Sequence, residues 1–267
     1  MGSLLRIAPL PFVAAPRAGR LVERNILVYR RIWLVLVSGF FEPLFYLLGI
    51  GFGIGSLVGT VPGLEGQALS YAAFVAPAMM ASSAMNGAIY DSTFNVFFKL
   101  NYDKVYDAVL ATPLGPADVA VGEVAWALMR GSLYAVGFLS VMIALGLVSS
   151  PWAVLALPAA MLVGFTFAAL GMAATSFMRT VQDFDLIFLV TLPLFLFSGT
   201  FYPLSAYPPE LQLAVQLTPL YHGVDLIRGL TTGALGPGLL VDAAYLAALG
   251  LVGLAIVSRR LEKLLLK

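Results

Sequence analysis

The chain has 267 residues, of which 60% are hydrophobic and 11% charged, and its mean hydropathy is +0.94, whereas a soluble domain carries about 25% charged residues. Six membrane spans of about 20 residues each would consume some 120 positions and leave only short connections, with no room for a soluble catalytic domain. The net charge of +1 argues against nucleic acid, which needs a basic stripe, and the absence of cysteine removes disulfides, thiolate nucleophiles and sulfur-ligated metals.

The first residues carry Pro9, Pro11 and Pro16 and lack the continuous apolar core of a cleaved signal peptide, so this stretch is expected to be retained. From Arg17 to Arg31, arginines 17, 20, 24 and 31 recur at spacings of three, four and seven, one face of a helix, with Leu21, Val22, Val28 and Tyr29 elsewhere. That pattern predicts an amphipathic helix lying along the cytoplasmic leaflet. An ordinary basic juxtamembrane tail is the alternative.

Six apolar segments follow, at about 32–56, 71–94, 119–147, 152–178, 184–202 and 239–258, each read as long enough to cross about 30 Å of hydrocarbon. Pro77 and Pro193 interrupt the second and fifth, which a membrane helix tolerates as a kink. Ser149, Ser150 and Pro151 suit a tight hairpin between the third and fourth. Of the 15 basic residues, 13 fall on one side of this arrangement: arginines 6, 17, 20, 24, 30 and 31, Lys99 and Lys104, Arg179, and the tail's Arg259, Arg260, Lys263 and Lys267. By the positive-inside rule both termini are cytoplasmic. Arg228 stands alone in the outer loops, and Arg130 lies inside the third span.

Two connections exceed what a hairpin needs. The cytoplasmic one, 97–118, mixes Lys99, Asp103, Lys104 and Asp107 with Tyr102, Val105, Tyr106 and Val109 and ends at Pro113 and Gly115, an amphipathic period suited to docking a partner or simply to a solvated loop helix. The outer one, 201–230, holds a segment of 10 to 14 residues among Pro208, Pro209 and Pro219, too short to span and fit for a re-entrant hairpin.

Most enzyme readings fail for want of residues. The single histidine, His222, excludes a multi-histidine metal site within one chain, and the absence of any Gly-Lys dipeptide excludes a Walker A loop. The run GIGFGIGSLVG at 49–59 gives G-x-x-x-G at Gly49/Gly53, Gly51/Gly55 and Gly55/Gly59, a packing signature. Charges inside a membrane are costly and therefore functional candidates. Glu42 and Arg130, each some 10 to 18 Å past the cytoplasmic boundary at 1.5 Å per residue, are expected to pair between spans one and three, or else Arg130 snorkels and Glu42 is protonated. Asp91, Asp183 and Asp185 are read as span-end caps. The aromatic residues Phe40, Phe41, Phe45 and Tyr46 of span one and Phe188, Phe195 and Phe197 of span five are candidates for a substrate path, with bundle packing or lipid contact as the alternative.

The stretches FEPLFYLLGIGFGIG (41–55), SYAAFVAPAMMASSAMNGAIYDSTFNVFFKLNYDKVYDAVLATPL (70–114) and FLFSGTFYPLSAYPPELQLAVQLTPLYHGVDLIRGL (195–230) closely resemble the ABC-2 type permeases, among them nodulation-type lipo-oligosaccharide exporters and daunorubicin-type drug-resistance permeases. The resemblance covers nearly the whole chain. It implies an all-α membrane subunit of six helices, homodimeric, coupled to two copies of a separate ATP-binding cassette subunit that binds ATP and Mg. This chain itself would hold no cofactor and no metal and would not be an enzyme. The organisation implied is 1–31 as tail and connecting helix, with Arg20, Arg24, Arg30 and Arg31 facing the ATPase; 32–258 as the transmembrane domain, with a coupling loop at 97–118 and an outer re-entrant hairpin at 203–230; and 259–267 as a basic tail. The coupling residues would be Lys99, Tyr102, Asp103, Lys104, Tyr106, Asp107 and Thr112, and Glu42 with Pro43 matches an acidic-Pro pair of the family. The function implied is export of an amphipathic or lipid-like substrate, such as a drug, lipid or lipo-oligosaccharide, across a bacterial inner membrane, with multidrug efflux and antibiotic resistance within the family's range. A proton-coupled secondary transporter using Glu42 is the alternative, and a scaffold that recruits a cytosolic protein is a third.

Overall fold

The structure, a computed structural model, describes residues 17–32, 41, 44–63 and 68–265, and it is mostly helical. The elements in order are α1 (Gly19–Tyr29), α2 (Leu44–Val58), a hairpin of β1 (Thr60–Pro62) and β2 (Ala68–Ser70), α3 (Tyr71–Asn101), α4 (Val105–Leu110), α5 (Pro116–Ala144), α6 (Pro151–Thr175), α7 (Phe184–Phe197), α8 (Pro209–Gln216), α9 (Pro219–Thr232) and α10 (Gly238–Leu265). Four of them, α3, α5, α6 and α10, are long and apolar enough to cross a membrane. The expected first span falls partly outside the described residues, and the expected fifth, α7, has 14 residues, about 21 Å of helix.

The centre of the bundle is α6, which packs against α3, α5, α9 and α10. Its composition explains this: Ala159, Ala160, Gly164, Ala168, Ala169, Gly171 and Ala173 are small residues interleaved among its larger ones, and in lipid, helices associate where small residues let backbones approach. At Gly253 of α10 an added Cβ would lie 3.0 Å from the backbone carbon of Ala169. Hydrogen bonds cross the same interfaces, from Thr166 Oγ1 to the Leu246 carbonyl at 2.9 Å and from Thr175 Oγ1 to the Ser92 carbonyl at 3.0 Å.

Among the described residues the glycine run packs through one register. Gly51 and Gly55 of α2 face Ala72 and Tyr71 at the start of α3, while an added Cβ at Gly49 or Gly53 would meet nothing within 4 Å among the described residues. The strand pair, Thr60 opposite Ser70, has no counterpart in the sequence reading, because three residues a side are too few to show alternation. It starts where Gly59 takes φ +75°, a conformation glycine adopts without strain.

The 201–230 connection folds as two short helices, α8 and α9, each opened by proline at its first turn, where the missing N–H costs nothing. Thr218 caps α9 by accepting from the Tyr221 N–H. Arg228 is buried in α9 rather than exposed in a loop. Its guanidinium donates to the carbonyl of Phe74 at 3.2 and 3.1 Å and of Gly199 at 2.8 Å, and sits 3.9 Å over the Phe74 ring. One residue thereby ties α9 to α3 and to the end of α7.

Candidate functional site

At the opposite end of the bundle from α8, polar side chains gather between α1, α3, α4 and α5. On α3 they are Asp91, Asn95 and Lys99, each four residues apart; on α5 they are Glu123 and Arg130, seven apart. Both spacings are about two helical turns, roughly 12 and 10 Å, so each set lies on one face. The two helices run antiparallel, and their charges meet in complementary order: Lys99 Nζ donates to both oxygens of Glu123 at 2.9 and 2.8 Å, and Arg130 Nη1 donates to Asp91 Oδ1 at 2.7 Å.

Glu123 is the centre of the outer layer. Besides Lys99 it accepts from the Tyr106 hydroxyl of α4 at 3.1 Å and from the Asn25 amide of α1 at 3.3 Å, and it is buried. A single carboxylate thus holds four elements. A buried charge is tolerated when paired and fully hydrogen-bonded, and three donors around two oxygens meet that condition. The inner layer has Arg130 donating to the Tyr134 hydroxyl at 2.8 Å as well as to Asp91, and Asn95 donating to Asp91 at 2.7 Å and to the Tyr29 hydroxyl of α1 at 3.0 Å. Asp91 to Asn95 forms a π-helical turn inside α3, a local widening often found at functional positions.

Helix α1 is seated on α5 by packing as much as by polarity. Leu21 fits the notch left by Gly122, where an added Cβ would lie 2.8 Å from the Leu21 Cβ and 3.0 Å from the Ala18 carbonyl. The Arg17 N–H donates to Asp118 at 3.1 Å, and Asp118 also accepts from the Gly115 N–H at 2.9 Å to cap α5. The buried stripe of α1 is Ala18, Leu21 and Asn25, leaving Ile26, Leu27, Val28, Arg30 and Arg31 exposed and Arg20 in an exposed ion pair with Glu23. Arg24 is half-buried beside Asn25.

The coupling candidates divide into two groups. Tyr102, Asp103, Lys104, Asp107 and Thr112 are exposed, and Lys104 opens α4 in the left-handed region at φ 47°. Tyr106 and Lys99 are corrected: both turn inward onto Glu123, Tyr106 being 1% exposed, because the alternation of α4 puts Tyr106 and Val109 on the bundle side. The Tyr106 side chain is closed to direct contact with a docked protein, and the half-buried Lys99 ammonium is engaged by Glu123.

Of the expected Glu42–Arg130 pair, Glu42 lies outside the described residues, as does Pro43; among the described residues the Arg130 guanidinium bonds Asp91. Asp91 is therefore not a span-end cap, whereas Asp183 is one: it accepts from the Arg179 and Thr180 N–H groups at 2.7 and 3.0 Å, and these bonds hold its carboxyl below the usual range. Asp185 lies in the first turn of α7. Among the path candidates, Phe40 is outside the described residues, and Phe41, Phe45, Tyr46, Phe188 and Phe197 are exposed. Phe195 is half-buried, 5.7 Å from the Tyr46 ring and 5.2 Å from Phe201. Phe197 also lines an apolar cleft of about 370 Å³ between α7 and α8, with Leu189, Pro193, Leu211 and Val215.

Sequence reasoning missed Glu123, Asn25, Asn95 and the role of Asp91. The signal was present in the spacings of four on α3 and seven on α5.

Comparison with known proteins places this architecture. Residues 18–231 match the ABC-2 type transporter family, a stretch that contains both polar layers, α4 and the α8–α9 hairpin. The chain is 36% identical over 214 residues to Nodulation protein J of Rhizobium leguminosarum bv. trifolii, covering 79% of each chain. It is 34% identical over 250 residues to Nodulation protein J of Rhizobium leguminosarum bv. viciae, covering 90% of this chain and 93% of that one, and 32% identical over 216 residues to the Rhizobium meliloti protein of the same name, covering 79% and 80%. The chain belongs to the ABC-2 type transporter family and is a multi-pass membrane protein, the transmembrane component of a transporter.

Proposed function

We propose that the chain is the membrane-spanning half of an ATP-driven exporter, working as a twofold dimer with two copies of a separate ATP-binding cassette subunit that supplies the ATP and Mg chemistry. The observation that carries this is the build of α4. Its inner face is fastened through Tyr106 to Glu123, and its outer face presents Tyr102, Asp103, Lys104, Asp107 and Thr112. A six-residue helix is too short to be stable by itself, and fastening it at one carboxylate makes it a lever: a push on the exposed face is delivered to α1, α3 and α5 together. Tertiary elements that shift as units are the usual means of converting a local push into alternating access.

In this reading 97–118 is the coupling loop, α1 is the connecting helix with Arg20, Arg24, Arg30 and Arg31 toward the cytoplasm, and 259–267 is a basic cytoplasmic tail, in a bacterial inner membrane. The α8–α9 hairpin lies on the far side, within the 203–230 connection. The exposed aromatic and aliphatic faces of α2 and α7 and the cleft beside Phe197 suit a second copy and an amphipathic or lipid-like substrate. A lipo-oligosaccharide is the favoured class, because the relatives carry the name Nodulation protein J. The test is purification from native membranes in mild detergent, with mass spectrometry and an ATPase assay of the eluate. A Walker A protein at 1:1 stoichiometry, lost on charge reversal at Asp103 and Asp107, supports the reading; this chain alone, without ATPase activity in several detergents, sinks it.

A further inference from the structure

The α8–α9 end of the molecule carries a second polar cluster, unconnected to the one around Glu123. His222, in the first turn of α9, has Nδ1 2.6 Å from Asp242 Oδ1 of α10. The two side chains are 14% and 8% exposed. The imidazole lies against the Tyr245 ring with centroids 4.1 Å apart, and the Tyr245 hydroxyl donates to the Leu217 carbonyl at 2.7 Å. Asp242 Oδ2 is buried with no partner among the described residues, so the carboxylate is held by His222 alone. Such an under-satisfied buried group calls for a reason beyond stability.

We propose that His222 and Asp242 form a pH-responsive latch that pins the α8–α9 hairpin to α10 and sets how readily this end of the permease opens. Asp242 is four residues into α10, about 6 Å from its start, within reach of protons from the adjoining aqueous phase. A neutral imidazole gives Asp242 one hydrogen bond. A protonated imidazole gives it a charge-assisted bond, stronger by roughly a factor of two, and imidazole is the side chain that changes charge between pH 5 and 8.

The groups facing the imidazole are Asp242 and Tyr245 from α10 and Tyr221 and Asp225 from its own helix, with Arg228 acting on Asp225. At this end α3 offers Tyr71 and α8 offers Glu210, which is exposed; α6 carries no titratable side chain, and Asp185 of α7 is at the far end of that helix. The charge-assisted bond forms only with the protonated imidazole, so acidification tightens the latch and alkalinity loosens it. The consequence for transport rests on the exporter reading above. The latch itself can be measured without an ATPase, which keeps the two outcomes separate.

The chain has no cysteine, so Leu213→Cys on α8 and Leu240→Cys on α10, both exposed, can carry spin labels on the full chain in lipid nanodiscs. Distance distributions at pH 5.5 and pH 8 should show the ratio of long to short separations rising roughly fivefold at the higher pH, the size expected of a partly buried charge pair. His222→Gln keeps a hydrogen-bond donor but cannot titrate, and should abolish the pH response; Asp242→Asn should give the long separation at both pH values. An unlatched wild type with no pH response overturns the latch on its own, even if neither variant folds. An undiminished response in His222→Gln overturns it equally.

Discussion

Replacing Glu123 with leucine keeps the volume and removes the carboxylate to which three donors point. Lys99 loses its counter-ion at 2.8 Å, and the Tyr106 hydroxyl and the Asn25 amide lose their acceptor. Breaking a buried pair by deleting one partner costs about 3 to 5 kcal/mol. Lys99 is 14% exposed and its flexible stem can carry the ammonium toward water, which lowers the expectation to about 2 to 4 kcal/mol. Adding Lys99→Met removes the stranded charge, so the double variant should be more stable than Glu123→Leu alone by about 1 to 2 kcal/mol, with a coupling energy of at least about 1 kcal/mol in the double-mutant cycle. The assay is reversible unfolding in mixed micelles followed by far-ultraviolet circular dichroism, with amide exchange at 105–110 recorded in parallel. A cost below about 0.5 kcal/mol, or zero coupling, would refute the claim that one carboxylate holds the four elements.

Other outcomes follow from the same contacts. Tyr106→Phe removes one bond to a charged acceptor, so amide protection in α4 should fall by about 1.5 to 3 kcal/mol while α3 and α5 keep theirs. Gly122→Leu fills the notch that holds Leu21 and should detach α1 from α5, read as accessibility of a cysteine placed at Ala18, which is buried beside the notch; unchanged protection there would contradict the packing. Arg228→Met strands the Phe74 and Gly199 carbonyls and should cost about 2 to 4 kcal/mol, whereas Arg228→Lys, which cannot fork to both, should recover only part of it. Asp183 is held below its usual pKa by the Arg179 and Thr180 N–H groups, so its cap contributes at neutral pH and is lost only as pH falls through that lowered value. Protection factors at Arg179 and Thr180, each taken relative to the intrinsic exchange rate at its own pH, should be as low in Asp183→Asn at pH 6 as in the wild type in strong acid.

The membrane class, the amphipathic α1, α4, the tight turn at Ser150 and the short hairpin helices were legible in the sequence because each rests on local rules: hydrophobic runs, helical periodicity and proline punctuation. The partnering of charges was not. Depth and sign suggest Glu42 for Arg130, but depth alone does not say which helices are neighbours, and α5 lies against α3, where Asp91 bonds the Arg130 guanidinium. Asn25 and Asn95 carry no charge and so give no signal in the sequence, although their amides bond the buried carboxylates of Glu123 and Asp91. The amphipathic period of α4 shows that two faces differ without saying which one a partner will see, so it does not reveal that Tyr106 turns inward onto Glu123.

The central claim, that the exposed face of α4 meets a separate ATPase, is tested most directly by site-specific photo-cross-linking in native membranes from single cysteines at Tyr102, Asp107 and, as the inward control, Tyr106. The account predicts that Tyr102→Cys and Asp107→Cys capture one common protein bearing a Walker A sequence while Tyr106→Cys captures none. Capture of no nucleotide-binding protein at the two exposed positions, with labelling of both verified, would contradict it.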